Sequence, residues 1–91
     1  MKVKYLKCTY TKISEGEYGV NFNARNQNWC FVNRADVLSS KNNQGYVKCL
    51  LAEDLEREAI VWINDLGDHR PSPFRVSKAD LIDRTDGLKA A

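Results

Sequence analysis

Residues 46–82 open with Tyr46-Val47-Lys48-Cys49 and close with Val76-Ser77-Lys78-Ala79-Asp80-Leu81-Ile82, and both segments have counterparts earlier in the chain. Tyr5-Leu6-Lys7-Cys8 precedes the first by 41 positions, and Val32-Asn33-Arg34-Ala35-Asp36-Val37-Leu38 precedes the second by 44. The offset changes once, at an insertion within residues 68–73. Collinear matches with a single gap are typical of a repeated structural unit. The sequence therefore predicts a tandem duplication, with repeats over about residues 3–38 and 44–82.

Each repeat has the pattern of three short β-strands followed by a tight turn. Tyr18, Val20 and Phe22 recur with the period of a half-buried strand, and residues 59–63 are apolar throughout. Residues 50–63 also contain good helix formers, so an amphipathic helix is the alternative there. The equivalent residues 12–19 contain two glycines, which are typical of a hairpin loop. We therefore expect hairpins in both repeats, with a helical turn near residues 54–57.

The two repeats together predict one all-β domain over residues 1–91, a small barrel or sandwich. A unit of about 40 residues buries too little apolar surface to fold alone, so the repeats should share one core. Residues 84–91 follow the last predicted strand and are expected to form a frayed tail. The expected interior consists of Val3, Tyr5, Val20, Phe22, Phe31, Val32, Leu38, Val47, Leu50, Val61, Ile63, Phe74, Val76 and Leu81.

Charge and hydropathy exclude several classes of protein. Residues 1–48 carry eight Lys or Arg and three acidic residues, a net charge of about +5. Residues 49–91 carry six Lys or Arg and nine acidic residues, a net charge of about −3. The longest apolar run, residues 59–63, is too short to cross a bilayer. The three cysteines contain no Cys-x-x-Cys pair, which argues against a disulfide scaffold. We expect a cytoplasmic protein with reduced thiols and no membrane partner.

The second repeat resembles a known class of small barrels. It consists of Tyr46-Val47-Lys48-Cys49-Leu50, an acidic hairpin, Ala59-Ile60-Val61-Trp62-Ile63, a loop, and residues 74–82. This order is similar to Src-homology-3-like barrel accessory proteins of phages and mobile elements, although the proline of their usual ending is missing. The resemblance implies a non-enzymatic binder, such as an anti-CRISPR-like inhibitor of a host defence complex. It carries over no functional residue.

The residues with catalytic or metal-binding chemistry are few. A Cys–His nucleophile would require one of the three cysteines to reach His69. A zinc site would need Cys8, Cys30, Cys49 and His69 together, but these residues lack the closely spaced ligand pairs that structural zinc sites use. Asp36 and Asp80 precede apolar dipeptides at equivalent turns, where they would accept backbone N–H groups. Buried, inert cysteines are the expectation. The sequence thus predicts no enzyme, no cofactor and no metal.

The most suggestive segment for binding runs from residue 23 to residue 34. It combines two arginines, several Asn or Gln residues and Trp29, a mixture found in protein hot spots and in nucleic-acid sites, though an Asn-rich loop also needs no ligand. The acidic residues 53–58 are either a solvated hairpin tip or a site for a basic partner. The candidate binding residues are Arg25, Asn26, Asn28, Trp29, Arg34, Glu53, Asp54, Glu56, His69 and Arg70.

These features favour a phage or mobile-element protein that inhibits a host defence or nucleic-acid-processing complex by protein–protein contact, through the 23–29 and 64–73 loops and the charged hairpins. The unequal charge of the two halves would steer association or pair copies in a homodimer. The alternative is a nucleic-acid-binding module in the basic half. That alternative uses Lys2, Lys4, Lys7, Arg25, Trp29 and Arg34.

Overall fold

The computed structural model describes residues 2–25, 27–68 and 70–91, and the side chain of Arg70 lies outside the described part. The described residues form one curled, half-barrel sheet with two 3-10 helices and no α-helix. The predicted all-β class is therefore confirmed. The strands are β1 (Lys2–Lys12), β2 (Glu17–Asn21), β3 (Trp29–Asn33), β4 (Val37–Lys41), β5 (Gln44–Asp54), β6 (Glu58–Asp65), β7 (Arg70–Ser77), β8 (Leu81–Ile82) and β9 (Lys89–Ala90).

Two parts of the chain have the same order of elements. Residues 2–41, the first unit, contain β1, β2, β3, the 3-10 helix Arg34–Asp36 and β4. Residues 44–82, the second unit, contain β5, β6, β7, the 3-10 helix Lys78–Asp80 and β8. The hairpins expected at residues 12–19 and 50–63 are both present as β1–β2 and β5–β6. The helix alternative for residues 50–63 is therefore excluded.

The strand registers of the two units correspond at the same offsets as the sequence. Thr9 pairs with Asn21 in β1–β2, and Leu50 pairs with Trp62 in β5–β6. The correspondence ends at a register shift between Leu51 and Glu53. It resumes in the next hairpins, where Glu17–Asn33 and Glu58–Ser77 are equivalent pairs.

The units are interlocked, because each contributes its last strand to the other. The long strands β1 and β5 pair antiparallel over residues 2–9 and 44–51, and Leu6 faces Val47 at the middle of this pairing. β4 of the first unit adds to β5, with Val37 opposite Val47. β8 of the second unit adds to β1, with Leu81 opposite Leu6.

Two equivalent backbone hydrogen bonds draw the ends of the curled sheet together. The N–H of Arg25 donates to the carbonyl of Arg75 at 3.2 Å, and the N–H of Leu66 donates to the carbonyl of Phe31 at 2.8 Å. Each joins the loop after the second strand of one unit to the third strand of the other. The loops that follow β2 and β6 are therefore structural elements of the half-barrel.

The core lies on the concave face of the sheet and only partly matches the prediction. Eight of the predicted interior residues are buried, and Cys8, Cys30 and Cys49 are buried with them as expected. The prediction for β1 is wrong, because Leu6 and Cys8 point inward whereas Val3 is 41% exposed. Tyr5, Phe31, Leu38 and Leu81 are half-buried, Leu50 is exposed, and the residues that the prediction missed include Tyr18, Val37 and Ala59.

The C-terminal residues, predicted to fray, are instead held against the first unit. β9 pairs with β4, with Ala90 opposite Leu38. Asp83 forms ion pairs with Lys2 and Lys4. A β4 edge that would otherwise be unpaired explains why this segment is ordered.

Candidate functional site

The convex surface of the sheet, here called the outer face, carries two rows of side chains that run across neighbouring strands. The first, the polar row, consists of Trp29, Asn21, Thr9 and Gln44, which are successive partners in the strand pairing. The second, the apolar row, occupies the equivalent positions of the other unit. It consists of Pro73, Trp62, Leu50 and Val3.

A groove of about 200 Å³, here called the apolar groove, lies along the apolar row. Val3, Leu50 and Trp62 form its wall, and Pro71 closes one side. Val3 and Leu50 are 41% and 37% exposed, which is unusual for large apolar side chains on a strand. Lys48 and Asp36 also line this groove, so it has one charge of each sign.

A groove of about 400 Å³, here called the polar groove, lies along the polar row. Thr9, Asn21 and Gln44 line it where the apolar groove has Leu50, Trp62 and Val3. Lys7 and Asp80 take the places of Lys48 and Asp36. The remaining lining residues are Cys8, Phe22, Asn23, Asn28, Ser40, Gly45 and Tyr46.

The three cysteines are free, buried thiols that the protein keeps protonated. Burial raises the pKa of Cys8, Cys30 and Cys49 to about 12 in each case. The negative charge of Asp65 adds to the shift at Cys30, and Lys4 opposes it slightly at Cys49. A thiolate nucleophile needs the opposite shift, so these side chains are packing residues.

Three of the eight basic residues of the first half are paired with acidic residues of the second half. Lys2 and Lys4 contact Asp83, and Arg25 donates to both carboxylate oxygens of Glu58, at 2.9 and 3.1 Å. Hydrogen bonds from Arg25 and Arg75 lower the pKa of Glu58. The charge asymmetry of the sequence is thus offset at these three positions, because β1 lies beside β8 and Arg25 reaches Glu58 of β6.

The other predicted residues of the 23–34 segment have different environments. Trp29 is 47% exposed and packs edge-to-face on Phe31, with 5.2 Å between ring centroids. Asn28 lines the polar groove. Arg34 donates to the carbonyl of Ala91 at 3.0 Å and lies 3.9 Å from Glu15, so its guanidinium is engaged within the chain.

The acidic hairpin does not gather its carboxylates into one site. Asp54 forms an ion pair with Lys78, and the backbone carbonyl of Glu56 accepts a 3.4 Å hydrogen bond from the same lysine. Glu53 is exposed on β5, beyond the register shift. Asn26, His69 and the side chain of Arg70 lie outside the described residues.

The structure brings together residues that the binding-site prediction did not contain. The sequence pattern places Val3 and Leu50 in the core, and it includes Trp62 only as part of the apolar run 59–63. The signal that could have found them was the repeat itself, because position 50 aligns with Thr9 and position 62 with Asn21, two residues that belong on a surface.

Comparisons with protein-family models, with curated proteins and with solved structures find no match to this chain. No helix in the described part of the chain is long and apolar enough to cross a membrane. Among the described residues, no three His, Cys, Asp or Glu side chains are grouped so that they could hold a metal ion.

Proposed function

We propose that this chain is a non-enzymatic binding protein that contacts a protein partner through the apolar groove. The observation that carries the proposal is the exposure of Val3 and Leu50 beside Trp62 on the outer face. Contiguous exposed apolar surface rimmed by charged residues is typical of protein interaction sites. Tryptophan at the centre of such a surface is the residue type that most often dominates binding energy.

The chemistry of the groove indicates what the partner presents. One Lys and one Asp line it, so its charges cancel and it does not select a strongly charged partner. A volume of about 200 Å³ accommodates one or two large side chains. The partner surface should therefore insert an aliphatic or aromatic side chain next to Trp62, with polar groups facing Lys48 and Asp36.

The position of Pro71 connects this groove with the loops that the sequence analysis selected. Pro71 belongs to the 64–73 segment, and its ring lines the apolar groove. A proline limits the backbone freedom of this wall, which reduces the entropy that binding would cost. The buried, protonated state of the three thiols also supports a binding role over thiol catalysis.

The nucleic-acid alternative receives less support from the geometry. Of its proposed cations, Lys2, Lys4 and Arg25 lie in ion pairs with acidic side chains. Arg34 contacts a backbone carbonyl and lies near Glu15. Neutralised cations release few counterions on binding phosphate, so the electrostatic part of the affinity is weak.

Two finer statements complete the proposal. The matched element order and strand registers support a tandem duplication. A related single-unit chain that forms a two-fold dimer would be direct evidence for the duplication. An experimental structure whose two units fail to superpose would contradict it. The phage or mobile-element origin and the host-defence target rest on the sequence resemblance and stay predictions.

The equivalent position in the other unit provides a matched control for the experiment. The partner would be identified by capture from a bacterial lysate, then purified, and its affinity measured for the wild type, Leu50→Asp and Thr9→Asp. Both substitutions place a carboxylate at the same position of a β-strand on the outer face. The proposal predicts that Leu50→Asp weakens binding by about tenfold or more, the range of a hot-spot loss of at least about 1.4 kcal/mol.

Thr9→Asp should leave the affinity within about twofold, which is below about 0.5 kcal/mol. Melting temperatures of both variants show whether they are folded. Equal losses for the two variants, or no loss for Leu50→Asp, would refute the apolar groove as the contact. Recovery of nucleic acid alone, released as the salt concentration rises, would favour the alternative function.

A further inference from the structure

The polar groove is a second concave site on the same face, and its lining has a distinct chemistry. Its volume of about 400 Å³ lies in the range of small-molecule sites. Four carboxamide side chains line it, together with the hydroxyl residues Thr9 and Ser40. The four carboxamides belong to Asn21, Asn23, Asn28 and Gln44.

These carboxamides are available to a ligand. All four residues are exposed, and none of their side chains makes a hydrogen bond within the part of the chain that the structure describes. Gln27 shows the contrast, because its side chain donates to the carbonyl of Trp29 at 2.7 Å. A carboxamide both donates and accepts hydrogen bonds, so four of them around one groove match a ligand with many groups of both kinds.

The charge of the groove limits the class of ligand. Lys7 and Asp80 are the charged residues among its lining. Leu81 of β8 pairs with Leu6 of β1, so Asp80, the last residue of the 3-10 helix before β8, lies opposite Lys7 of β1. Their charges offset one another, so the groove favours a ligand without net charge and disfavours a phosphate-rich one.

Two aromatic residues lie near the carboxamides. Trp29 lies just outside the lining of the groove, where it pairs with Asn21 across β2 and β3; its ring is 47% exposed and makes an edge-to-face contact with Phe31. Tyr46 lines the groove from β5 and is half-buried. Exposed, fixed aromatic rings offer an apolar surface to a ligand that is otherwise polar.

The fold itself does not require this polar lining. The positions equivalent to Thr9, Asn21 and Gln44 are Leu50, Trp62 and Val3, and they form the apolar groove on the same strand geometry. Four equivalent positions have the same residue type in both grooves. They are Lys7, Cys8, Asn23 and Asp80 in the polar groove and Lys48, Cys49, Asn64 and Asp36 in the apolar groove. The polar character is therefore a property of this groove and not of the half-barrel.

We propose that the polar groove binds an uncharged polyhydroxylated ligand, a saccharide of one or two rings. Its hydroxyl groups exchange hydrogen bonds with the carboxamides of Asn21, Asn28 and Gln44. The apolar face of a sugar ring packs against the exposed ring of Trp29. This site is independent of the protein contact proposed above, because it uses different residues and a different ligand class.

The test is a titration of the isotopically labelled full chain followed by amide chemical shifts. The probes are maltose, cellobiose and N,N′-diacetylchitobiose at about 10 mM, a concentration that detects millimolar affinity. Adenosine and a single-stranded oligonucleotide serve as the competing ligand classes. We expect shifts at the side-chain amides of Asn21, Asn28 and Gln44 with at least one of the saccharides.

Matched variants assign the shifts to the groove. Asn21→Ala and Trp29→Ala should each lower the saccharide affinity at least about tenfold, a loss typical of a hot-spot contact. Asn64→Ala, at the position equivalent to Asn23 but in the apolar groove, should leave it within about twofold. Leu50→Asp should also leave it unchanged, which separates this site from the protein contact.

Three results would overturn the proposal. The first is the absence of shifts with all three saccharides in a folded protein. The second is binding of adenosine or the oligonucleotide at these residues in preference to the saccharides. The third is saccharide binding that Asn21→Ala and Trp29→Ala, both shown to be folded by their amide spectra, leave unaltered.

Discussion

Gly45 of β5 lies opposite Ser39 of the neighbouring strand β4, and its replacement by alanine should be among the most damaging small changes in the chain. A Cβ atom at this position would clash with the carbonyl oxygen of Leu38 and would lie 3.2 Å from the Cα of Ser39. Both are backbone atoms, which cannot rotate away as a side chain would. The two strands would have to separate by more than about 1 Å to restore an ordinary contact distance.

The energetic consequence follows from that displacement. Overpacking costs about 1–3 kcal/mol. The loss of one β4–β5 hydrogen bond near the pairs Leu38–Tyr46 and Val37–Val47 adds about 1 kcal/mol. We expect Gly45→Ala to lower the free energy of unfolding by about 3 kcal/mol. A domain of this size gains only about 5–14 kcal/mol from folding in total, so the melting temperature should fall by about 12–24 °C.

Urea unfolding followed by tryptophan fluorescence measures this change, with Gly16→Ala as the control. A Cβ at Gly16 meets nothing within 4 Å, and Gly16 does not have a positive φ. That substitution should be neutral or should stabilise the protein by up to about 1 kcal/mol. If Gly45→Ala stays within about 1 kcal/mol of the wild type, the close approach of β4 to β5 is refuted.

Three further predictions test the inward face of β1, the thiols and the main ion-pair cluster. Leu6→Ala should destabilise the protein by about 3 kcal/mol and Val3→Ala by less than about 1 kcal/mol in urea unfolding, because Leu6 is buried and Val3 is 41% exposed; the reverse order would restore the strand orientation predicted from sequence. Because burial raises the pKa of the three cysteines from 9.0 to about 12, their contribution to stability should be fully present below pH 9.0 and should be lost as the pH rises towards about 12. Iodoacetamide at neutral pH should modify these thiols only in denaturant. The lowered pKa of Glu58 contributes stability above its usual value of 4.5 that is lost as the pH falls below it, so Glu58→Gln should flatten the acid side of the stability profile, and an unchanged acid slope would contradict the Arg25–Glu58–Arg75 cluster.

Much of the fold could be predicted because strand patterns depend on local sequence. The alternation of Tyr18, Val20 and Phe22 matches their burial, and the 3-10 helices follow the two equivalent turns. The offset of 41 residues also predicted the hairpin at residues 50–63, where helix propensity pointed elsewhere. Comparison between the two matching segments was a stronger guide than propensity, because tertiary packing overrides propensity in a short segment.

The orientation of β1 could not be predicted from its own residues. Val3 and Tyr5 alternate with Lys2 and Lys4, which favours Val3 as the inward residue. The structure reverses this orientation, because Leu6 and Cys8 reach the centre of the half-barrel while Lys2 and Lys4 lie at its end beside Asp83. Which end of a long strand covers the core depends on its partners, and the sequence of the strand does not specify them.

The two surface grooves could be predicted only in part, for a related reason. Trp29 and Asn28 lie on the outer face as expected of surface residues, but Arg25 is held by Glu58 from a strand 33 residues away. A sequence shows which residues are charged and not which charges meet. The two grooves became visible only when the strand register placed residues of β3, β2, β1 and β5 in one row and residues of β7, β6, β5 and β1 in the other.

Hydrogen–deuterium exchange on the complex with the captured protein partner tests the central claim most directly. Binding at the apolar groove should slow amide exchange in residues 48–52 and 60–64 and at Ser72, relative to the free protein. Residues 7–11 and 19–23, the equivalent segments at the polar groove, should exchange at the same rate with and without the partner. Slowed exchange confined to the polar groove or to the acidic hairpin tip, with residues 60–64 unchanged, would contradict the account.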